Sequence, residues 1–346
     1  MATKIQSEAS RRVEELLSKL PKERFRDVIE RRFGLKDGNR ETLETVGQDY
    51  DITRERVRQI ESDAVRILSE RQNIAILKPV FEYLDQFFEE HDYLIGEEKL
   101  LRIITDILEP HPSRSAILFV LTLGKPYQRF AESDKFYPHW ATKKTARKNI
   151  EKIVDYLIQY LDQKKQPHNL DTILKLVSVK HGDASDNTIL NALDIAKSLS
   201  ENVFGEWGLS HWPEVNPRGV RDKAYLVLQR ASEPRHFSEI TDLINKANFS
   251  SRQAFSQTVH NELIKDERFV LIGRGTYALA EWGYEPGVVK EVIAKLLSDA
   301  KKPMSKDEIV STVLKMRKVK PGTVIINLQS NKEFERLDDG RYKLVS

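Results

Sequence analysis

Apolar residues recur at spacings of three and four along most of this chain, the period of amphipathic α-helices. In residues 10–20 the apolar stripe consists of Val13, Leu16, Leu17 and Leu20. After Pro21, residues 22–33 repeat the pattern with Phe25, Val28, Ile29 and Phe33. Gly34 and the polar run at 36–39 follow. The pattern predicts two helices, of which the second ends at Gly34.

Residues 42–68, TLETVGQDYDITRERVRQIESDAVRIL, predict two further helices joined by a tight turn. Thr42 is suited to cap the first helix and Thr53 the second, because their hydroxyls can accept from free backbone amides. Asp51 falls in the turn, where a positive φ is expected and Asp is tolerated. Gly47 lies inside the first helix, which indicates a close approach by the partner helix.

The second of these helices has two different faces. The face predicted to be buried carries Val57, Ile60, Ala64, Ile67 and Leu68. The face predicted to be exposed carries Glu55, Arg58, Gln59, Ser62 and Arg66, with Arg54 on its flank. Such a pair of helices is typical of a helix-turn-helix.

Four later segments share one plan of three helices and a short β-like tail, which is typical of winged helices. In the last two segments six positions recur at a constant shift of 65 residues. The pairs are Val259 and Val324, Leu263 and Leu328, Phe269 and Phe334, Gly275 and Gly340, Tyr277 and Tyr342, and Leu279 and Leu344. This shift indicates an internal repeat.

The predicted fold class is therefore mainly α with short β-hairpin wings. An N-terminal helix-turn-helix domain would be followed by a tandem array of winged-helix-like domains. The predicted domains are 1–73 for the helix-turn-helix, then 74–142, 143–215, 216–283 and 284–346 for the four winged-helix-like units.

Composition narrows the function classes. Charged residues make up 32% of the chain but the net charge is only +3, so nucleic-acid contact should be local. There is no cysteine, which excludes disulfides, cysteine-ligated zinc and thiol catalysis. The eight histidines are scattered, and no catalytic or phosphate-loop motif is present. We expect a cytoplasmic protein that is not an enzyme and uses no membrane contact, cofactor or metal.

Four residues of the second helix could read base edges in a major groove. Arg54 and Arg58 can bond to guanine, Gln59 to adenine, and Glu55 can accept from the cytosine amino group. The alternative is a solvated face on which Arg54, Glu55, Arg56 and Arg58 pair with each other and with Glu61. The helix that precedes this face favours DNA reading.

Residues 20–69 resemble region 4 of primary-type bacterial sigma factors, most closely over ITRERVRQIE. The resemblance implies that Arg54, Glu55, Arg58 and Gln59 read the upstream (−35) promoter element. It also implies that Thr42 and Leu43 lie against the DNA backbone, where free amides at a helix N-terminus attract phosphate. Double-stranded promoter-like DNA and RNA polymerase are the partners it implies. The sigma segment that grips the polymerase clamp and melts DNA has no counterpart here.

Residues 214–346 resemble the HARE-HTH family of winged helices, which includes a domain of an auxiliary RNA polymerase subunit and modules of restriction and chromatin proteins. The third helices could add DNA contacts through Arg252 and Gln253, or through Lys315, Arg317, Lys318 and Lys320. Alternatively, these units bind protein. The run 143–148 beside Tyr137 and Trp140 could suit single-stranded DNA, although a linker helix beside a core tryptophan is favoured.

Three functional hypotheses follow. The chain is a bacterial transcription regulator that binds promoter-like DNA, a polymerase-associated interaction protein, or a DNA-sensing module of a defence system. The target sequence, the direction of regulation and the oligomeric state stay open.

Overall fold

A computed structural model describes residues 2–284, 287–317 and 319–345 of the chain. The chain divides into two compact units, Met1–Ser200 and Glu201–Ser346. It is mostly helical, with small antiparallel sheets, as the pattern predicts. Lys318, one of the basic residues predicted to contact DNA, lies outside the described residues.

The first unit begins with four helices, α1 (Ala2–Leu17), α2 (Glu23–Phe33), α3 (Leu43–Asp49) and α4 (Arg54–Leu68). A short α5 (Arg71–Ile74) and a 3-10 turn (Ala75–Leu77) lead into the next elements. These are α6 (Lys78–Glu90), β1 (Leu94–Gly96), α7 (Glu97–Thr105), α8 (Pro112–Leu123), β2 (Gln128–Phe130) and β3 (His139–Ala141). Then come α9 (Lys144–Lys164), β4 (His168–Asn169), α10 (Leu170–Lys180) and α11 (Asp186–Ile195).

Strand β5 (Leu199–Glu201) follows, and the elements of the second unit come after it. They are β6 (Glu206–Leu209), α12 (Val220–Ala231), β7 (Arg235–His236), α13 (Phe237–Ala247), α14 (Ser256–Lys265), β8 (Phe269–Gly273) and β9 (Thr276–Leu279). After a 3-10 turn (Ala280–Trp282) come α15 (Val289–Ala300), α16 (Lys306–Met316), α17 (Pro321–Ser330), β10 (Phe334–Arg336) and β11 (Tyr342–Leu344).

One order of elements recurs along the chain: helix, strand, helix, helix, strand, strand. It appears from α6, from α9 and from α12. The first of these segments holds an antiparallel sheet in the order β1-β3-β2, and the third holds one in the order β7-β9-β8. In the last segment β10 pairs with β11, and a lone bridge joins Met304 to Tyr342 where the other segments have a first strand. This recurrence agrees with the internal repeat; the winged-helix assignment and the five domain boundaries stay predictions.

The residues related by the shift of 65 occupy matching places in two cores. Val259, Leu263, Phe269 and Tyr277 are buried in one core, and Val324, Leu328, Phe334 and Tyr342 in the other. Gly275 and Gly340 both have positive φ, at 67° and 81°, as their hairpin turns require. The two segments therefore bury their repeated positions in the same manner.

The helix-turn-helix shares a hydrophobic core with the segment that follows it. Helix α1 begins near the chain start, earlier than the predicted residue 10, and packs against α7 and α8. The shared core includes Leu16, Leu17, Ile29, Ala64 and Leu68 together with apolar residues of α6, α7 and α8. The predicted boundary at residue 73 thus falls between elements that bury their apolar faces against each other.

Arg317 is buried, although the sequence places it among exposed basic residues. Only 5% of its surface is accessible. Its guanidinium donates to the backbone carbonyl of Gly287 and, at 3.0 Å, to that of Leu271. It therefore joins the last two repeated segments, and the prediction that Arg317 could contact DNA is wrong. Lys315 and Lys320 are exposed.

His139, on β3, is a buried titratable group held in its neutral form. Its side chain is 1% exposed, with Nδ1 2.8 Å from the Tyr137 carbonyl and Nε2 3.1 Å from Arg147 Nη1. Arg147 can only donate, so Nε2 accepts and Nδ1–H donates. Burial, with a smaller contribution from the charge of Arg147, lowers the pKa of His139 below its usual value.

This lowered pKa predicts a pH dependence of stability. A base whose folded pKa lies below its unfolded value binds its proton more readily when unfolded, so the free energy of unfolding should fall as pH drops below about 6.5. The slope from one such group is at most about 1.4 kcal/mol per pH unit. Urea unfolding at pH 7.5 and 5.5 should show this loss in the native chain and a smaller one in His139→Gln. An equal loss in both proteins would contradict the assignment.

Candidate nucleic-acid interface

The turn between α3 and α4 is fixed by two caps and one left-handed residue. The Thr42 side chain accepts a hydrogen bond from the Thr45 amide at 3.1 Å, and the Thr53 side chain accepts one from the Arg56 amide at 3.2 Å. Asp51 has φ 51°, as predicted. Both predicted caps are thus confirmed.

Gly47 allows the backbone to fold back on α3. A Cβ at this position would lie 2.7 Å from the Ile52 carbonyl oxygen, a distance that real Cβ atoms do not tolerate. The Ile52 amide donates to the Gly47 carbonyl at 3.0 Å, which closes the turn. Gly47 thus lies at a close approach, but the atom nearest to its missing Cβ belongs to the turn and not to the partner helix, which the sequence had suggested.

A small core sets the angle between the helices of this motif. Val28 of α2, Val46 of α3, and Val57 and Ile60 of α4 are all buried in it. Ala64 and Leu68 continue the buried face of α4 into the larger core of the unit. Ile67 lies at the edge of this stripe and is half-buried instead of fully buried as predicted. The buried face holds α4 so that its opposite face is turned to solvent.

The four proposed base readers all lie on that exposed face. They are Arg54, Glu55, Arg58 and Gln59. Arg58 and Glu55 form a two-point ion pair, with Nη2–Oε1 at 2.6 Å and Nε–Oε2 at 2.9 Å. This pairing lowers the pKa of Glu55 and raises that of Arg58. Arg56 Nη1 donates to Gln59 Oε1 at 3.0 Å.

The alternative interpretation is a solvated face on which the charged side chains pair with each other. The structure confirms it in part. Arg58 does pair with Glu55, but Glu61 pairs with Arg32 of α2, at 2.7 Å, and not with an arginine of α4. An exposed pair of this kind contributes little to stability, because water screens it. The pairs on α4 are therefore weak enough to be exchanged for contacts to bases.

A groove joins the beginnings of α3 and α4. It measures about 620 Å³, and its lining includes Thr42 and Leu43 on one side and Arg54, Glu55 and Arg58 on the other. Arg32 and Arg40 add two more cations to its lining, and Glu41 and Glu44 add two carboxylates. Because amide groups at helix N-termini and arginines both attract phosphate, the groove suits a nucleic-acid backbone. Arg40 was not singled out from the sequence, although a basic residue two positions before a helix cap was a signal for it.

The third helices of the next two segments are not free to enter a groove of DNA. Most of α8 is buried against its neighbours, α1 among them. On α11, Asn191 is 1% exposed and donates to the Leu94 carbonyl at 2.7 Å. Asp92 accepts hydrogen bonds from Ser185 and, at 3.1 Å, from Thr188 at the start of α11. Both helices therefore serve packing within the first unit.

The basic run at 143–148 lies beside a core tryptophan, as favoured from the sequence. Trp140 is 2% exposed and its indole donates to Glu97 at 2.8 Å. Lys143 Nζ lies 3.1 Å from the ring centre of Tyr93. Tyr137 is half exposed, but the buried Trp140 cannot stack on a base.

Arg252 and Gln253, before α14, are exposed.

The described residues contain no group of three or more His, Cys, Asp or Glu side chains placed to hold a metal ion. Among those same residues, no helix has the length and apolar character needed to cross a membrane.

Comparison with known proteins gives one family match. Residues 16–70 match the model of Sigma-70, region 4. Over 55 residues the chain is 51% identical to RNA polymerase sigma factor SigA of Microcystis aeruginosa and to SigA of Synechocystis sp., covering 16% of this chain and 13% of each relative. It is 48% identical to SigA of Clostridium acetobutylicum over 58 residues, 17% of this chain and 15% of that one. The chain thus spans less than a sixth of the length of these relatives, and the match covers the segment that carries the α3–α4 groove.

Proposed function

We propose that this protein is a bacterial, sequence-specific DNA-binding transcription regulator that recognises promoter-like (−35-type) duplex DNA. The observation that carries the proposal is the exposed face of α4, with Arg54, Glu55, Arg58 and Gln59 beside a groove between two helix N-termini. It lies in the segment that matches Sigma-70, region 4. Binding of this kind takes place in the cytoplasm.

Each side chain has a definite role in this proposal. Arg58 and Gln59 bond to purine edges, Glu55 accepts from a cytosine amino group, and Arg54 reaches a guanine or the adjacent phosphate. Thr42 and Leu43 place the amides of α3 against the backbone. When DNA binds, the Arg58–Glu55 pair opens so that both groups can contact bases. The protein catalyses no reaction, and needs no cofactor or metal for this binding.

The rest of the chain supports the helix-turn-helix and offers further surfaces for binding. The four later segments are winged-helix-like units, the last two of HARE-HTH type. Residues 74–142 support the helix-turn-helix through the packing of α7 and α8 on α1, and α11 of the next segment packs on β1 and α9. In the last two segments α14 and α17 keep exposed faces. These two units contact a further partner or additional DNA.

Selection of bound sites from random duplexes with the full-length protein tests the proposal. Enrichment of one short motif that resembles a −35 element is expected. Binding without any enriched motif would contradict sequence-specific recognition.

A second candidate is a polymerase-associated interaction protein. The exposure of α14 and α17, in units that resemble those of an auxiliary polymerase subunit, favours it. Co-purification with RNA polymerase after Arg58 and Gln59 are replaced by alanine would support this candidate. Loss of polymerase together with DNA binding would oppose it. A DNA-sensing module of a defence system is a third reading, and a separate nuclease encoded beside it would favour that role.

A further inference from the structure

A shallow apolar groove lies on helices α12 and α13 of the second unit. Its floor consists of Phe204, Val227, Ala231, Leu243 and Ala247. The cavity measures about 380 Å³, a volume within the range of pockets that bind small molecules. No described residue of α14 lines it, so it is a different surface from the exposed third helix.

The groove exists because small residues stand where the two helices end. Ala231 and Ala247 are the last residues of α12 and α13, and each helix stops at a left-handed residue, Ser232 with φ 53° and Asn248 with φ 56°. Phe204 belongs to the floor of the groove and meets Phe249 edge to face, with ring centres 5.8 Å apart. The floor is thus shaped by well-packed backbone and ring contacts before any partner arrives.

The charged residues at its rim are all cations. Arg230, Arg235 and Lys246 line the groove, and no carboxylate among the described residues does so. The Arg230 guanidinium lies 4.6 Å from the ring centre of Phe204, which holds it over the floor. Carboxylates outside the lining face two of these cations: Arg230 lies 3.8 Å from Glu206, and Arg235 pairs with Glu233 and lies 3.8 Å from Glu239. The groove therefore has an apolar floor, and the charges that line it are cations whose carboxylate partners lie outside it.

This combination selects one kind of occupant. Nucleic acid presents a polar, charged surface, so it would leave the apolar floor uncovered. An amphipathic helix lays apolar side chains into a groove of this type, and acidic flanks complement basic rims. We propose that the α12–α13 groove docks an acidic amphipathic helix of a partner protein, with its Leu or Phe side chains on the floor and its carboxylates on Arg230, Arg235 and Lys246.

The binding test uses the full-length chain and a labelled helical peptide with Leu and Phe at positions i, i+3 and i+7 and Glu beside them. Fluorescence anisotropy should show saturable binding. Two control peptides, one with every Glu replaced by Lys and one with Leu and Phe replaced by Ser, should bind at least about tenfold more weakly. Equal binding of the Glu and Lys peptides would overturn the proposal, as would absence of saturable binding.

Two variants locate the peptide. Ala247→Trp fills the floor and should weaken binding about tenfold or more. Lys246→Glu reverses one rim charge without entering the floor, and should weaken binding about fivefold, more at low salt than at high salt. Lys265→Glu on α14, an exposed lysine outside the groove, is the matched control and should change nothing.

The outcomes separate the groove from the DNA face. Circular dichroism and thermal unfolding establish that each variant is folded, and Lys246→Glu keeps the test valid if Ala247→Trp is not. Unchanged peptide binding in folded Lys246→Glu would overturn the proposal, as would displacement of the peptide by duplex DNA or by self-association of the chain. Arg58→Ala should leave peptide binding unaltered, whatever it does to DNA.

Discussion

Replacement of Arg58 and Gln59 by alanine is expected to remove the sequence preference of this protein for duplex DNA. Each good base contact discriminates by about 1–3 kcal/mol, so the loss of two should reduce the ratio of preferred to random binding about 30-fold or more. Binding to random DNA should fall less, because phosphate contacts carry most of it. Gel-shift titrations with a selected duplex and with a scrambled one measure both quantities.

The two single variants are expected to differ. Arg58→Ala also removes the partner of Glu55, which the native chain holds at 2.6 Å and 2.9 Å. The carboxylate would then face the DNA without compensation, and like charges repel. Gln59→Ala leaves that pair intact and frees only Arg56. Arg58→Ala should therefore cost more affinity than Gln59→Ala.

Arg66→Ala is the matched control for these variants. Arg66 lies on the same helix, is exposed, and pairs only loosely with Asp63 at 3.4 Å. Its replacement should alter affinity uniformly or not at all, with the sequence preference kept. Retained preference in folded Arg58→Ala/Gln59→Ala would refute the reading of bases by α4.

Local features of the fold and of the candidate site follow from the sequence. The caps at Thr42 and Thr53, the positive φ of Asp51 and the exposed face of α4 each depend on residues only a few positions apart. Interactions of this range leave a periodic or chemical mark in the sequence. For that reason the geometry of the helix-turn-helix could be predicted from the sequence, whereas base reading by α4 stays a proposal.

Long-range packing leaves no such mark. The apolar stripe of α1 shows that one face is buried, but nothing in it specifies α7 and α8 as the cover. Arg317 lies in a basic run, yet it is buried by carbonyls of Gly287 and Leu271, which are 30 and 46 residues away. The hydrogen bonds from Asn191 on α11 to the carbonyls of Leu94 and His91 span 97 and 100 residues. These contacts decide which basic residues and which third helices are available to a partner.

The shared core predicts that the helix-turn-helix depends on the segment after it. Leu16 and Leu17 of α1 and Leu68 of α4 are at most 2% exposed, and they belong to the same core as α6, α7 and α8. The separate core that α2, α3 and α4 form among themselves has only four buried residues, Val28, Val46, Val57 and Ile60. A fragment of residues 1–73 would expose the first set to water at about 25 cal/mol for each Å² of apolar surface.

Residues 1–73 alone are therefore expected to unfold without a cooperative transition, whereas residues 1–200, which form a compact unit, should unfold cooperatively. In the full chain, Leu16→Ala should lower the free energy of unfolding of this unit by about 2–5 kcal/mol, because a fully buried leucine leaves a cavity. Glu15→Ala, at the exposed neighbouring position, should change it by less than about 0.5 kcal/mol. Urea unfolding followed by circular dichroism measures all four proteins. Cooperative unfolding of residues 1–73 with the same midpoint as residues 1–200 would mean that the helix-turn-helix folds independently of the segment that follows it. The proposed DNA-binding segment could then be studied apart from the chain.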